Sequence, residues 1–186
     1  MNRVRQAIAW GIVTSAATLS GCSNEGEDRS TSQNETVAPS IGLAVFPDKA
    51  MEEPAVSDLS MVSAVDSQEM KDNREVVGVV VDGRPRAYSL PRLSNVESHV
   101  LIDDQSATGL LVTFCDRTQC LRVFETGGRS AESFQMRGFG NNTMLIGIDG
   151  EVIEQTSDHF PLPAVEAIRT TWGEWKKLHP DTVVYE

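Results

Sequence analysis

Two Asp-Gly dipeptides, each set between β-forming runs, constrain this chain more than any other feature. Val76-Val-Gly-Val-Val-Val81 stops at Asp82-Gly83, and Arg84–Leu90 follows. Thr143-Met-Leu-Ile-Gly-Ile148 stops at Asp149-Gly150, and Glu151-Val-Ile-Glu-Gln155 follows. The two-residue loops that match strand twist need positive φ at both positions, which Asp-Gly supplies cheaply. The β-branched side chains around them are stiff at χ1 and pack well on a pleated surface. Pro85 falls beside the first turn, where a missing N–H is tolerated. Each segment therefore predicts an antiparallel hairpin.

The neighbouring segments repeat the pattern. His99-Val-Leu-Ile102 reads as a short strand before Asp103-Asp104, a pair of carboxylates that looks like a solvated turn. Gly109–Cys115 and Cys120–Glu125 flank Asp116-Arg-Thr-Gln119, a hairpin with a four-residue loop. Gly127-Gly128 marks another turn. Helix is a minor element: one or two turns are expected within Ser57–Lys71, and a clearer helix over 171–178. There Thr171 followed by Glu174 has capping-box spacing, Lys176 and Lys177 suit the C-terminal dipole, and Pro180 prevents continuation. Trp172 and Trp175 lie three apart and are expected to pack on the sheet. The expected fold is mainly β, an antiparallel hairpin meander or small barrel, with a short C-terminal helix.

The N-terminus carries a different signal. Arg3 and Arg5 precede the uncharged, largely apolar Ala7–Leu19. That run is shorter than the ~20 residues of a membrane-spanning helix and has the length of a signal-peptide core. Leu19-Ser20-Gly21-Cys22 follows and resembles the lipobox of bacterial lipoproteins. The resemblance implies cleavage before Cys22 and lipid on its thiol. One acyl chain holds a membrane only marginally, so stable anchoring needs more than one. Residues 1–21 are thus expected to be a lipoprotein signal peptide, and 22–56 a lipidated N-terminus with a disordered acidic tether. Residues 57–186 are expected to form one β-rich domain, a normal single-domain size. Ser23 after the cysteine favours the periplasmic side of the outer membrane in a Gram-negative cell.

Removing residues 1–21 removes two arginines and no acid, so the formal charge goes from −11 to −13. A chain this acidic, without a basic stripe, is a poor nucleic-acid binder, because phosphate binding depends on clustered Lys and Arg. The expected partner is the membrane, reached through the lipid.

Two cysteines remain besides Cys22. Cys115 and Cys120 would be the first pair across the four-residue hairpin loop. Three readings stay open: a structural disulfide, which exported cysteine pairs commonly form; a redox-active dithiol, with Arg117 and Arg122 near enough to favour a thiolate; and a metal site. In the last, the soft ligands suit copper or zinc, and Cys115, Cys120 and His99 are the candidate ligands. Leu121 stands where Cys-x-x-Cys-His haem attachment needs an imidazole. His99, in an apolar strand, otherwise reads as a satisfied core histidine.

From Val76 to Glu186 the chain resembles a domain-of-unknown-function family numbered 3179. The hairpin Val76–Leu90 is similar to the family's opening, with Ala87-Tyr88-Ser89-Leu90 similar to its Ala-Tyr-Pro-Leu stretch, Ser89 standing in place of the proline. Val112-Thr-Phe-Cys115 is similar to its Val-Thr-Tyr-Cys. Gly138, Asn142, Leu145 and Asp149 fall at its spacings, and Thr170-Thr-Trp172-Gly-Glu-Trp175 and His179-Pro180-Asp181-Thr-Val183 match its closing helix and turn. The resemblance marks Tyr88, Gly138, Asn142, Asp149, Trp172, Trp175, Pro180 and Asp181 as motif residues and implies no assigned activity. The functional expectation is a tethered, non-enzymatic envelope or binding module with a hairpin disulfide; the alternative is a redox-active or copper-handling lipoprotein.

Overall fold

The computed structural model describes residues 52–67 and 70–186. Along the chain come β1 (Glu53–Pro54), β2 (Met61–Ser63), β3 (Glu75–Val81), β4 (Arg84–Ser89), α1 (Leu90–Leu93) and β5 (Val100–Asp103). Then follow β6 (Leu110–Cys115), β7 (Cys120–Glu125), β8 (Phe134–Gly140), β9 (Thr143–Ile148) and β10 (Glu151–Glu154). β11 (Ala164–Val165), β12 (Ala167–Thr171), α2 (Trp172–Leu178) and β13 (Val183–Tyr185) close the chain. Cys22 and the expected signal peptide lie outside the described residues.

The strands form three sheets: a five-stranded sheet in the order β12-β3-β4-β13-β2, a central sheet β11-β7-β6-β5, and a distal sheet β1-β8-β9-β10. The fold is mostly antiparallel β, as expected, with β13 parallel to β4 as the exception. It is not a barrel, because each sheet keeps two edges. The reason lies in β6. Leu110-Leu-Val-Thr-Phe-Cys115 is buried at every position, so it needs cover on both faces.

The core clusters supply that cover. Val77, Val79, Val81 and Tyr88 of the five-stranded sheet pack on Leu101, Leu110, Val112 and Phe114 of the central one. On the opposite face Val100, Ile102, Leu111, Cys115, Cys120 and Phe124 pack on Phe134, Met136, Met144 and Ile146 of the distal sheet. A third cluster, Trp172 and Trp175 with Val76, Ala87 and Val184, covers the outer face of the five-stranded sheet.

The two expected Asp-Gly hairpins form, with positive φ of 51° and 72° at Asp82-Gly83 and 52° and 89° at Asp149-Gly150. A third two-residue loop joins β8 to β9, where Asn141 and Asn142 take φ of 49° and 59°. Asparagine tolerates that region through local hydrogen bonding. Gly138, at φ 89°, lies in the β-bulge between Met136 and Phe139. Helix α2 forms where expected, and the Thr171 side chain accepts from the Glu174 N–H at 3.4 Å. The return half of the capping box is not made; Glu174 accepts from Lys177 instead.

Three expectations are corrected. The stretch Ser57–Lys71 has no helix among its described residues; Met61–Ser63 is a strand on β13. Pairing along the edge of β13 wins over weak local helix preference. The chain after Ser89 turns into α1, with a proline in its first turn, where a missing N–H costs nothing. Ordered pairing also begins inside the span expected as tether. Glu53–Pro54 pairs with β8, and Val56 forms a parallel bridge with Leu101.

Candidate functional site

Arg86 was not singled out by sequence and Asp103 only as part of a solvated turn, yet the two form a buried, two-bonded ion pair. Alternation places Arg86 and Tyr88 on the inner face of β4 and Asp103 beside Leu101 on β5. Arg86 donates to Asp103 from Nε at 2.5 Å and from Nη2 at 3.0 Å. The Tyr88 hydroxyl donates at 2.7 Å and the Gln105 N–H at 3.0 Å. Asp103 is fully buried, so the solvated-turn reading is corrected; its carboxylate ties the five-stranded sheet to the central one. Burial, then the Asp103 charge, pushes the Tyr88 hydroxyl well above its ordinary pKa. The available signal was the period: an acid in register with inward-facing leucine.

Cys115 and Cys120 face each other across β6 and β7, as their spacing predicted. Cys115 is a free, buried thiol, so the expected bridge to Cys120 is not formed in this structure. Opposed register brings the residues together, and the Cys115 thiol packs as a small apolar group between sheets. Gln155, also missed by sequence, enters here fully buried. Its Nε2 donates to the Thr113 hydroxyl at 3.0 Å and to the Cys120 carbonyl at 3.2 Å. Arg117 and Arg122 are engaged elsewhere. Arg117 lies 4.2 Å over the Phe139 ring, and Arg122 donates to the Gln155 and Ser157 carbonyls at 2.8 Å each.

His99 is buried just before β5 with neither ring nitrogen in a well-formed hydrogen bond, only a loose approach to the Ser94 backbone, which corrects the reading of a satisfied core histidine. Its Nε2 stops 3.6 Å from Asp116 Oδ1, and Phe139 meets the ring edge-on. Burial lowers its pKa, opposed by the Asp116 charge and the Ser94 backbone. Among the described residues no three His, Cys, Asp or Glu side chains converge to hold a metal. The ligand set Cys115, Cys120 and His99, proposed for copper, is therefore not assembled.

The other motif residues divide between scaffold and cleft. Trp172 and Trp175 are buried, and Trp175 donates from Nε1 to the Thr182 hydroxyl at 2.9 Å. Asn142 and Gly138 shape the β8–β9 hairpin, and Asp149 holds Arg129 at 2.8 Å. Pro180 and Asp181 instead line an open cleft of about 530 Å3 between the β3–β4 turn and the end of α2. Arg84, Pro85, Leu178 and His179 line it too, and the His179 ring lies 4.2 Å from that of Trp175.

Among the described residues no helix is long and apolar enough to cross a membrane. No curated protein and no solved structure matches the chain. Residues 52–186 do match one family, spanning every strand and helix described above. The chain therefore belongs to the family described as Protein of unknown function (DUF3179).

Proposed function

We propose that this protein is an exported lipoprotein, anchored through lipid on Cys22, whose β domain is a non-enzymatic binding module. The observation that carries the binding role is the cleft. Its volume of about 530 Å3 falls within the ~300–1,000 Å3 of small-molecule sites. Arg84 and Asp181 line it without a hydrogen-bond or ion-pair partner among the described residues. The anchor is supported by Leu19-Ser20-Gly21-Cys22 after an uncharged run and by the polar, acidic stretch Ser23–Ser40.

Metabolic labelling with alkyne-bearing palmitate in a Gram-negative host tests the anchor. The full chain is expected to take up label and sediment with envelope membranes. Cys22→Ser is expected to lose the label, and Cys115→Ser to keep it. Label absent from the wild type, or retained by Cys22→Ser, overturns the anchored reading.

A further inference from the structure

Two exposed charges of opposite sign line the cleft without a partner among the described residues. Most arginines in the described residues are engaged: Arg86 with Asp103, Arg129 with Asp149, Arg137 with Glu52 and Arg169 with Glu75. Others lie over aromatic rings, as Arg92 does over Tyr185 and Arg117 over Phe139. Arg84 has no such partner among the described residues, although the chain carries a net charge of −11. Asp181, on the same cleft, is equally unpaired. The two oppositely charged side chains share one concavity and stay too far apart for a direct ion pair.

Apolar side chains line the same cleft. Leu178 is 73% exposed and lines the cleft with Pro85 and Pro180. Arg86 also lines it, but its guanidinium is held by Asp103. Arg84 is thus the uncompensated arginine there. A ligand with one charge would satisfy one lip and meet the opposite field at the other. A ligand with both charges and an apolar body satisfies Arg84, Asp181 and Leu178 together.

We infer that the cleft binds a small apolar zwitterion, with its carboxylate on Arg84, its ammonium on Asp181 and its apolar body against Leu178 and Pro85. This deepens the binding-module reading and rests on it. The chemistry is shared by a free apolar amino acid and a short apolar peptide. The guanidinium fork suits a carboxylate through two parallel hydrogen bonds, and the carboxylate of Asp181 takes an ammonium as a charge-assisted acceptor.

The test is equilibrium dialysis of the full lipidated chain in non-ionic detergent against labelled leucine, labelled Leu-Leu, 3-methylbutanoate and 3-methylbutylamine. Trp175 emission, next to His179, serves as a second readout, and near-ultraviolet circular dichroism checks that variants are folded. Leucine or Leu-Leu is expected to bind, and which of them binds more tightly identifies the source. Arg84→Ala and Asp181→Asn are each expected to weaken that binding at least about tenfold. Arg74→Ala, an exposed arginine outside the cleft, is expected to leave it unchanged. Equal binding of 3-methylbutanoate or 3-methylbutylamine overturns the zwitterion while keeping the cleft as a binding site. Zwitterion binding that survives both cleft variants overturns the placement. Failure of leucine and Leu-Leu to bind overturns the inference.

Discussion

Asp103 accepts four hydrogen bonds with no exposure to water. A buried ion pair gains from the low dielectric but pays to desolvate two charges, so its net worth is small. Its removal is another matter, because one partner then stays buried and uncompensated. Asp103→Asn is expected to cost about 3–5 kcal/mol, since it leaves Arg86 charged inside the core. The double change Arg86→Met with Asp103→Leu is expected to recover most of that loss. Urea unfolding midpoints at constant slope would check both, and a double variant no better than the single would show that the pair is strongly stabilising.

At the scale of elements, glycine does two different jobs. Gly150 supplies φ of 89° in the β9–β10 turn, and a Cβ there meets nothing nearby. Its replacement by alanine is expected to cost about 1–2 kcal/mol, all of it conformational. Gly78 on β3 has an ordinary φ, but a Cβ there would overlap the Trp175 ring. That ring is tied to Thr182 and is fully buried, so it has little room to give way. Gly78→Ala is expected to cost about 1–3 kcal/mol through overpacking and to shift Trp175 emission, which Gly150→Ala should not do. Unchanged emission in Gly78→Ala would mean that α2 yields freely.

Across the whole molecule, the central sheet belongs to two cores at once, which should make unfolding a single event. Phe134 lies in the core under the distal sheet and Trp175 in the layer beyond the five-stranded sheet. Truncating either to alanine is expected to cost about 3–5 kcal/mol. In both variants far-ultraviolet circular dichroism and tryptophan emission are expected to report one coincident thermal transition. Separate transitions in either variant would show that the layers melt independently.

Local chemistry by itself determined the hairpins, the C-terminal helix and the placement of Cys115 opposite Cys120. Asp-Gly at 82–83 and 149–150 leaves a chain few other low-energy turns, and Thr171 with Pro180 bounds a helix without help from outside. Such signals act within a few residues, where propensity and period are strong. Stacking of the three sheets, the inward turn of Asp103 onto Arg86 and Tyr88, and the entry of Gln155 beside the cysteines were decided by tertiary structure. Each depends on which faces meet across large sequence separations, 17 residues for Arg86–Asp103 and 35 for Gln155–Cys120. The cleft belongs with these. Asp181 could be read as part of a motif, but it shares a cleft with Arg84 only because β13 returns parallel to β4. That pairing brings the end of α2 over the β3–β4 turn.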